Sequence, residues 1–194
     1  NEEVEDPRPW CEIIRQWSTF HPEFSFLPRK FKIAVTASKK DRAAIEVHDI
    51  GLRLTKKNSK VGFEVYIGGG QGRSPFIAKK IKDFLEKKDL LNYLEAILSV
   101  YNELGRRDNI YKARIKILVN ELGKEKIKSM IEDRYKNFAN KKLELSDDQI
   151  KKIHSFFKLP IKQPKNSYMP KVDNIEFKQW ISQNVINHKI KGYS

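Results

Sequence analysis

Side chains alternate in parity along Leu27-Pro28-Arg29-Lys30-Phe31-Lys32-Ile33-Ala34-Val35. Phe31, Ile33 and Val35 fall on one side and Lys30, Lys32 and Ala34 on the other, the period-two signature of a strand. The two ammonium groups would leave one face from backbone positions roughly 7 Å apart, and like charges that close are unfavourable unless water or an anion offsets them. The same reading predicts strands over residues 31–37, 44–47, 50–55 and 62–67, with 56–60 as a hairpin loop. Ahead of them, Asp6-Pro7-Arg8-Pro9 marks a helix entry, followed by Trp10, Ile13, Ile14 and Trp17 at helical spacing and closed by His21-Pro22.

Beyond residue 67 the pattern turns helical. Gly68-Gly69-Gly70-Gln71-Gly72-Arg73 forms a glycine-rich loop, after which Ser74 and Pro75 predict a helix running to about residue 87. Asp89 is read as the cap of a helix through Leu104 that ends at Gly105, Asp108 as the cap of one that ends before Gly123, and a third helix is expected over 124–139. Ser146-Asp147-Asp148-Gln149 fits a capping box for a helix reaching Lys158. Residues 159–171, with Pro160, Pro164 and Pro170, read as a linker, and Asp173 is expected to cap a helix over 174–186. Fold class is therefore α+β: a mixed or antiparallel sheet packed by helices, with a helical C-terminal extension. The middle, 26–135, reads as the α+β domain and 136–172 as a helical linker, while both ends, 1–25 and 173–194, look like parts of something else. The acidic start without Met reads as an internal segment.

Composition narrows the chemistry. The 194 residues are 39% hydrophobic and 11% aromatic, enough for a core despite 33% charged residues. No apolar run reaches a membrane span and no secretory signal opens the chain, which points to a cytoplasmic protein. One cysteine, Cys11, rules out an internal disulfide and a multi-cysteine metal site. It is expected to be buried beside Trp10 as packing. His21, His48, His154 and His188 lack ligand spacing, so no metal ligands are assigned. His48 is read as structural at a strand start, and no nucleophile-base-oxyanion set is visible. The charge of +14 and the pI of about 9.7 favour an anionic partner.

Two further features bear on that partner. Three adjacent glycines leave room for close approach of a bulky ligand, although the loop is neither G-x-G-x-x-G nor a P-loop. On a wheel drawn over residues 109–122, Arg114 points among Ile110, Tyr111, Ile117 and Leu118, while Lys112, Lys116 and Asn120 form a separate polar stripe. An arginine on an apolar face needs a carboxylate or phosphate. A structural ion pair to a core Asp or Glu and an anionic ligand both meet that need.

Taken in order, Leu27-Pro28-Arg29-Lys30-Phe31-Lys32, His48-Asp49-Ile50-Gly51-Leu52, Gly62-Phe63 through Gly70, and Gly105-Arg106-Arg107-Asp108-Asn109 through Lys116 resemble the sirohaem-containing nitrite and sulfite reductases, the assimilatory sulfite reductase haemoprotein family in particular. The resemblance covers about residues 7–135. A weaker match of Phe177, Trp180, Asn184, His188-Lys189 and Gly192-Tyr193 looks like the opening of the family's second ferredoxin-like half-domain. It implies sirohaem bridged to a [4Fe-4S] cluster through a cysteine sulfur, and six-electron reduction of sulfite to sulfide or nitrite to ammonia. Electrons would come from a ferredoxin or a flavoprotein reductase. It implies catalytic roles for Lys30 and Lys32, which would balance substrate charge and supply protons. Arg107, Asn109, Arg114 and Lys116 would hold cofactor carboxylates or shape their pocket, and Gly68, Gly69, Gly70 and Gly72 would let the flat macrocycle lie against backbone. The family's cluster cysteines are absent from this sequence, so the ligands are expected outside the chain and the chain alone is expected to be inactive. A basic nucleic-acid-binding protein and a non-catalytic sirohaem-binding module are the rival readings. No helix-turn-helix, RRM or KH signature supports the former.

Overall fold

The computed structural model describes residues 2–138, 143–158 and 174–186, and the contacts among them define two units, one of them Glu2–Phe157. In that unit α1 (Arg8–Ser18) starts on Pro7 and Pro9, where a missing amide costs nothing. Its buried residues Trp10, Ile13 and Ile14 join the core. Trp10 meets Phe63 edge-on at 5.0 Å. Cys11, one step of about 100° around the helix from Trp10, is exposed rather than buried.

The sheet has the order β1-β2-β3-β4. Strand β1 (Ile33–Thr36) runs parallel to β2 (Ile50–Lys57). The pairs β2 with β3 (Lys60–Ile67) and β3 with β4 (Lys79–Glu86) are antiparallel. Ile50, Leu52, Leu54, Phe63, Val65 and Ile67 make the core face. The opposite face carries an ion network in which Arg53 reaches Glu64 and the Tyr66 hydroxyl.

Two elements differ from expectation. Residues 45–47 form a 3₁₀ turn, not a strand, because Ala44 adopts φ 49° and the turn lies directly on the sheet. There a Cβ on Gly51 would stand 2.5 Å from the Ile45 carbonyl oxygen. The predicted helix to residue 87 is β4: Gly70 and Phe76 exchange backbone hydrogen bonds of 2.9 Å, and the chain then pairs with β3. Register shifts between Phe63 and Tyr66 break the period of two, which leaves Ile77, Ile81, Phe84 and Leu85 at helix-like spacing.

Helices cover the core face. α2 (Leu90–Leu104) ends at Gly105 as expected, and packs on α4 (Lys124–Asn137). Lys82 of β4 and the Tyr93 hydroxyl both bond Glu132 of α4, each at 2.8 Å. α5 (Asp147–Phe156) begins with the expected capping box of Ser146 and Gln149 and packs on α1. In the second unit, α6 (Ile175–Asn184) is capped by Asn174, which accepts from the amides of Glu176 and Phe177. Asp173 and the 159–171 linker lie outside the described residues.

The β2–β3 hairpin closes on a two-residue turn, Asn58-Ser59, with φ of 48° and 64°. Both central residues are left-handed, the type I′ pattern in which glycine is preferred second. Ser59→Gly is therefore expected to stabilise the chain by about 0.5–1 kcal/mol. A urea titration should show a higher midpoint with an unchanged slope, whereas a lower midpoint would contradict this turn.

Candidate functional site

The segments singled out by sequence meet around Asp49. This residue precedes β2 and has 0% exposure. Its Oδ2 accepts from the Lys32 amide at 2.9 Å. Its Oδ1 accepts from Arg114 Nε and Nη2 at 3.1 and 2.8 Å. Burial pushes the Asp49 carboxyl up, against the downward pull of Arg114 and the Lys32 amide. The partner of Arg114 is thus a core aspartate, the structural ion pair that the sequence left open.

Arg114 does not lie inside a helix as the wheel assumed. A 3₁₀ turn at Ile110–Lys112 is followed by α3 (Ile115–Leu122), and Arg114 is extended at the break, φ −68° and ψ 149°. Asn109 caps the first turn through the Tyr111 amide at 3.0 Å. The Tyr101 hydroxyl donates to the Ala113 carbonyl at 2.9 Å, which ties the break to α2.

Lys116 also departs from the polar stripe. It is buried, and its Nζ donates to the carbonyls of Gln71 at 2.9 Å and Ser74 at 2.6 Å, so it staples the tip of the glycine loop. Burial first, then the charge of Arg114, holds its pKa below the ordinary lysine value. Lys112 and Asn120 are exposed as expected.

Gly68, Gly69 and Gly70 make room for the chain itself rather than for a ligand. A Cβ would stand 2.7 Å from Val119 at Gly68, 2.3 Å from the Glu46 carbonyl oxygen at Gly69, and 2.8 Å from the Lys116 side chain at Gly70. Only at Gly72, with φ 102°, is the space open. The exposed part of the loop is its tip, residues 71–75.

Arg107 donates to the Phe26 carbonyl at 2.8 Å and, through Nη2, to the carbonyl and Oδ1 of Asn102. This fastens the segment leading into Lys30 onto the end of α2. Pro28 packs where a Cβ on Gly105 would be, and Phe31 lies 5.4 Å from Tyr101. Lys30 and Lys32 precede β1, and both side chains are exposed. Among the described residues neither ammonium has an ion-pair partner. A groove of about 630 Å³ between α1 and residues 24–33 is lined by Lys30, Arg29, Arg15 and Cys11. Lys32 and Arg114 lie outside it. The structure thus joins Lys32 to Arg114 through Asp49 and leaves Lys30 on a groove wall.

Sequence reasoning passed over Asp49, treating His48-Asp49 as a strand start. His48 keeps that role, its Nδ1 donating to the Ala44 carbonyl at 2.8 Å. The usable signal was the need of Arg114 for a carboxylate beside an apolar strand.

The family model described as "Nitrite and sulphite reductase 4Fe-4S domain" matches residues 1–138, and the chain belongs to that family. It is similar to sulfite reductase [ferredoxin] 1 of Mycolicibacterium paratuberculosis, 31% identical over 137 residues, 70% of this chain and 24% of the relative. It is likewise similar to the chloroplastic ferredoxin–nitrite reductase of Arabidopsis thaliana, 29% identical over 146 residues, again 70% and 24%. The NirA protein of Mycobacterium tuberculosis superposes with a TM-score of 0.62 at 27% identity, covering 70% of this chain and 25% of that one. The chain thus spans about a quarter of the length of the relatives it matches. Its four-stranded mixed sheet packed by helices is the expected α+β fold.

Membership implies sirohaem and a [4Fe-4S] cluster as cofactors. Among the residues present, the exposed cations Lys30, Lys32, Arg73 and Lys112 suit the carboxylates of a tetrapyrrole. The residues present do not fit the cluster, which takes four thiolates. The chain has one cysteine, and no group of three His, Cys, Asp or Glu among the described residues could hold a metal ion. No described helix is long and apolar enough to cross a membrane.

The Asp49 pair carries a pH signature. Because burial holds its folded pKa above the ordinary value, stability from this group is greatest at low pH and falls as pH rises through the folded pKa. Arg114→Met strands the carboxylate and raises that pKa further. The variant should lose about 3–5 kcal/mol near neutral pH, with the deficit shrinking toward acid as Asp49 protonates. Urea unfolding across pH checks this, and a pH-independent deficit would contradict it.

Proposed function

We propose that this chain is the part of a sirohaem- and [4Fe-4S]-dependent reductase that presents cations to the tetrapyrrole and its substrate. The reaction is six-electron reduction of sulfite to sulfide or nitrite to ammonia. In this reading residues 26–135 are the sirohaem-binding domain, 1–25 complete a preceding half-domain, 136–172 connect, and 173–194 open a second half-domain. The observation that carries it is the contrast between free and committed cations: Lys30 and Lys32 are exposed without ion-pair partners among the described residues, while Arg114 is paired with Asp49 and Lys116 donates to the carbonyls of Gln71 and Ser74.

Bound sirohaem would supply an iron that carries electrons to the substrate. Lys30 and Lys32 would offset the charge of the bound anion and hold protons at Nζ for oxygens that leave as water. Their worth rises as water is displaced, since ammonium groups act more strongly on an anion in a drier site. Lys112 and Arg73 would meet cofactor carboxylates by charge-assisted hydrogen bonds. Arg107, Asn109, Arg114 and Lys116 would shape the pocket from behind, holding the 26–32 segment, the 109–113 turn and the 71–75 tip in place. Gly72 is the glycine of the loop left open to a macrocycle. Electrons would come from a ferredoxin or a flavoprotein reductase, since relatives are named for either ferredoxin or NADPH.

In the full-length reductase, Lys30→Ala and Lys32→Ala should each lower turnover of sulfite or nitrite at least about a hundredfold, the scale of a lost proton donor. The haem-type absorption should be nearly unchanged. Assays with a low-potential donor, alongside absorption spectra, check this. Normal turnover in both variants would refute the assigned roles.

A further inference from the structure

Three segments distant in sequence converge on one residue, Asp49. Lys32 is held on both sides of its Cα: its amide donates to Asp49 Oδ2 at 2.9 Å, and its carbonyl accepts from the Ile50 amide at 3.1 Å. The Asp49 carbonyl accepts from the Gly68 amide at 3.0 Å, which brings in the glycine loop. Arg114, bonded to Oδ1, stands against Gly70, where a Cβ would be 3.2 Å from both Nη1 and Nη2. We propose that Asp49 is the positioning residue of the cationic rim, setting the direction in which Lys32 leaves the sheet edge relative to Arg114 and the glycine loop. This rests on the reading of Lys30 and Lys32 as the anion-handling side chains.

Asp49 acts through others, because with 0% exposure it touches no ligand. A carboxylate suits the post better than an amide, for both its oxygens accept. Asparagine has one acceptor oxygen and must aim its NH₂ at either the Lys32 amide or the Arg114 fork, donor against donor. The bond to Lys32 is the one that a global stabiliser would not need, since it lies just outside β1 and fixes the backbone that carries the side chain.

The first test needs no ligand: amide hydrogen exchange of the chain, followed residue by residue by NMR. In the unaltered chain the Lys32 amide is expected to be protected although it precedes the strand, and an unprotected amide overturns the proposal without any variant. In Asp49→Asn, Lys32 should exchange at least about tenfold faster than any change in global stability explains, with Phe63 and Val65 in β3 as the global gauge. A change at Lys32 no larger than at those two positions reduces Asp49 to a general stabiliser and overturns the proposal.

The second test uses uroporphyrin, an octacarboxylate, titrated by fluorescence. Asp49→Asn should weaken binding about tenfold in the Lys32 background and not at all beside Lys32→Ala. Equal loss in both backgrounds overturns positioning. Binding that is absent, or indifferent to Lys30→Ala and Lys32→Ala, overturns the reading of the lysines instead and leaves the exchange result to decide the role of Asp49.

Discussion

A carboxylate removed from water must have both oxygens bonded, and the folding of the site follows from that requirement at Asp49. One oxygen takes the amide of a residue 17 positions earlier and the other a guanidinium 65 positions later. The chain can satisfy it only by bringing the start of β1, the start of β2 and the break before α3 together. That constraint also explains why Arg114 interrupts a helix. A guanidinium on the helix would face solvent or apolar neighbours, whereas the extended residue at the break reaches inward. Leaving either partner alone in the core costs more than the helical turn forgone.

Lys116 applies the same logic one step further out. Its ammonium is buried and donates to two carbonyls of the 71–75 tip, which satisfies the buried charged donor and ties the tip to α3. The adjacent glycines complete the arrangement by removing side chains where Val119, the Glu46 carbonyl and Lys116 itself must fit. Glycines, lysine and arginine are therefore parts of a single packing solution, and the loop tip is presented as a fixed edge.

Much of this was legible in the sequence. The alternation of Phe31, Ile33 and Val35, the helix of 90–104 closed by Gly105, and the Ser146-Gln149 box depend on local periodicity and capping, which a single segment carries in full. β4 was not legible, because its register shifts erase the period of two and leave apolar residues at helical spacing. The burial of Lys116 was not legible either, since its partners are backbone carbonyls 42 and 45 positions away and carbonyls have no letter in a sequence. Arg114 lay between these cases: its need for an anion could be read, but whether protein or ligand supplied it depended on the fold.

What remains after these internal debts are met is the chemistry offered outward. Arg114 is compensated by Asp49, Lys82 by Glu132 and Lys87 by Glu5, and Lys116 is held by two backbone carbonyls. Lys30 and Lys32 stand apart, exposed on a segment held by Arg107, Pro28, Phe31 and the Asp49 bond. A rigid backbone under uncompensated ammonium groups is the arrangement in which an arriving anion gains most. The ordering cost of the backbone has been met in folding, and the charges keep their water until the ligand displaces it.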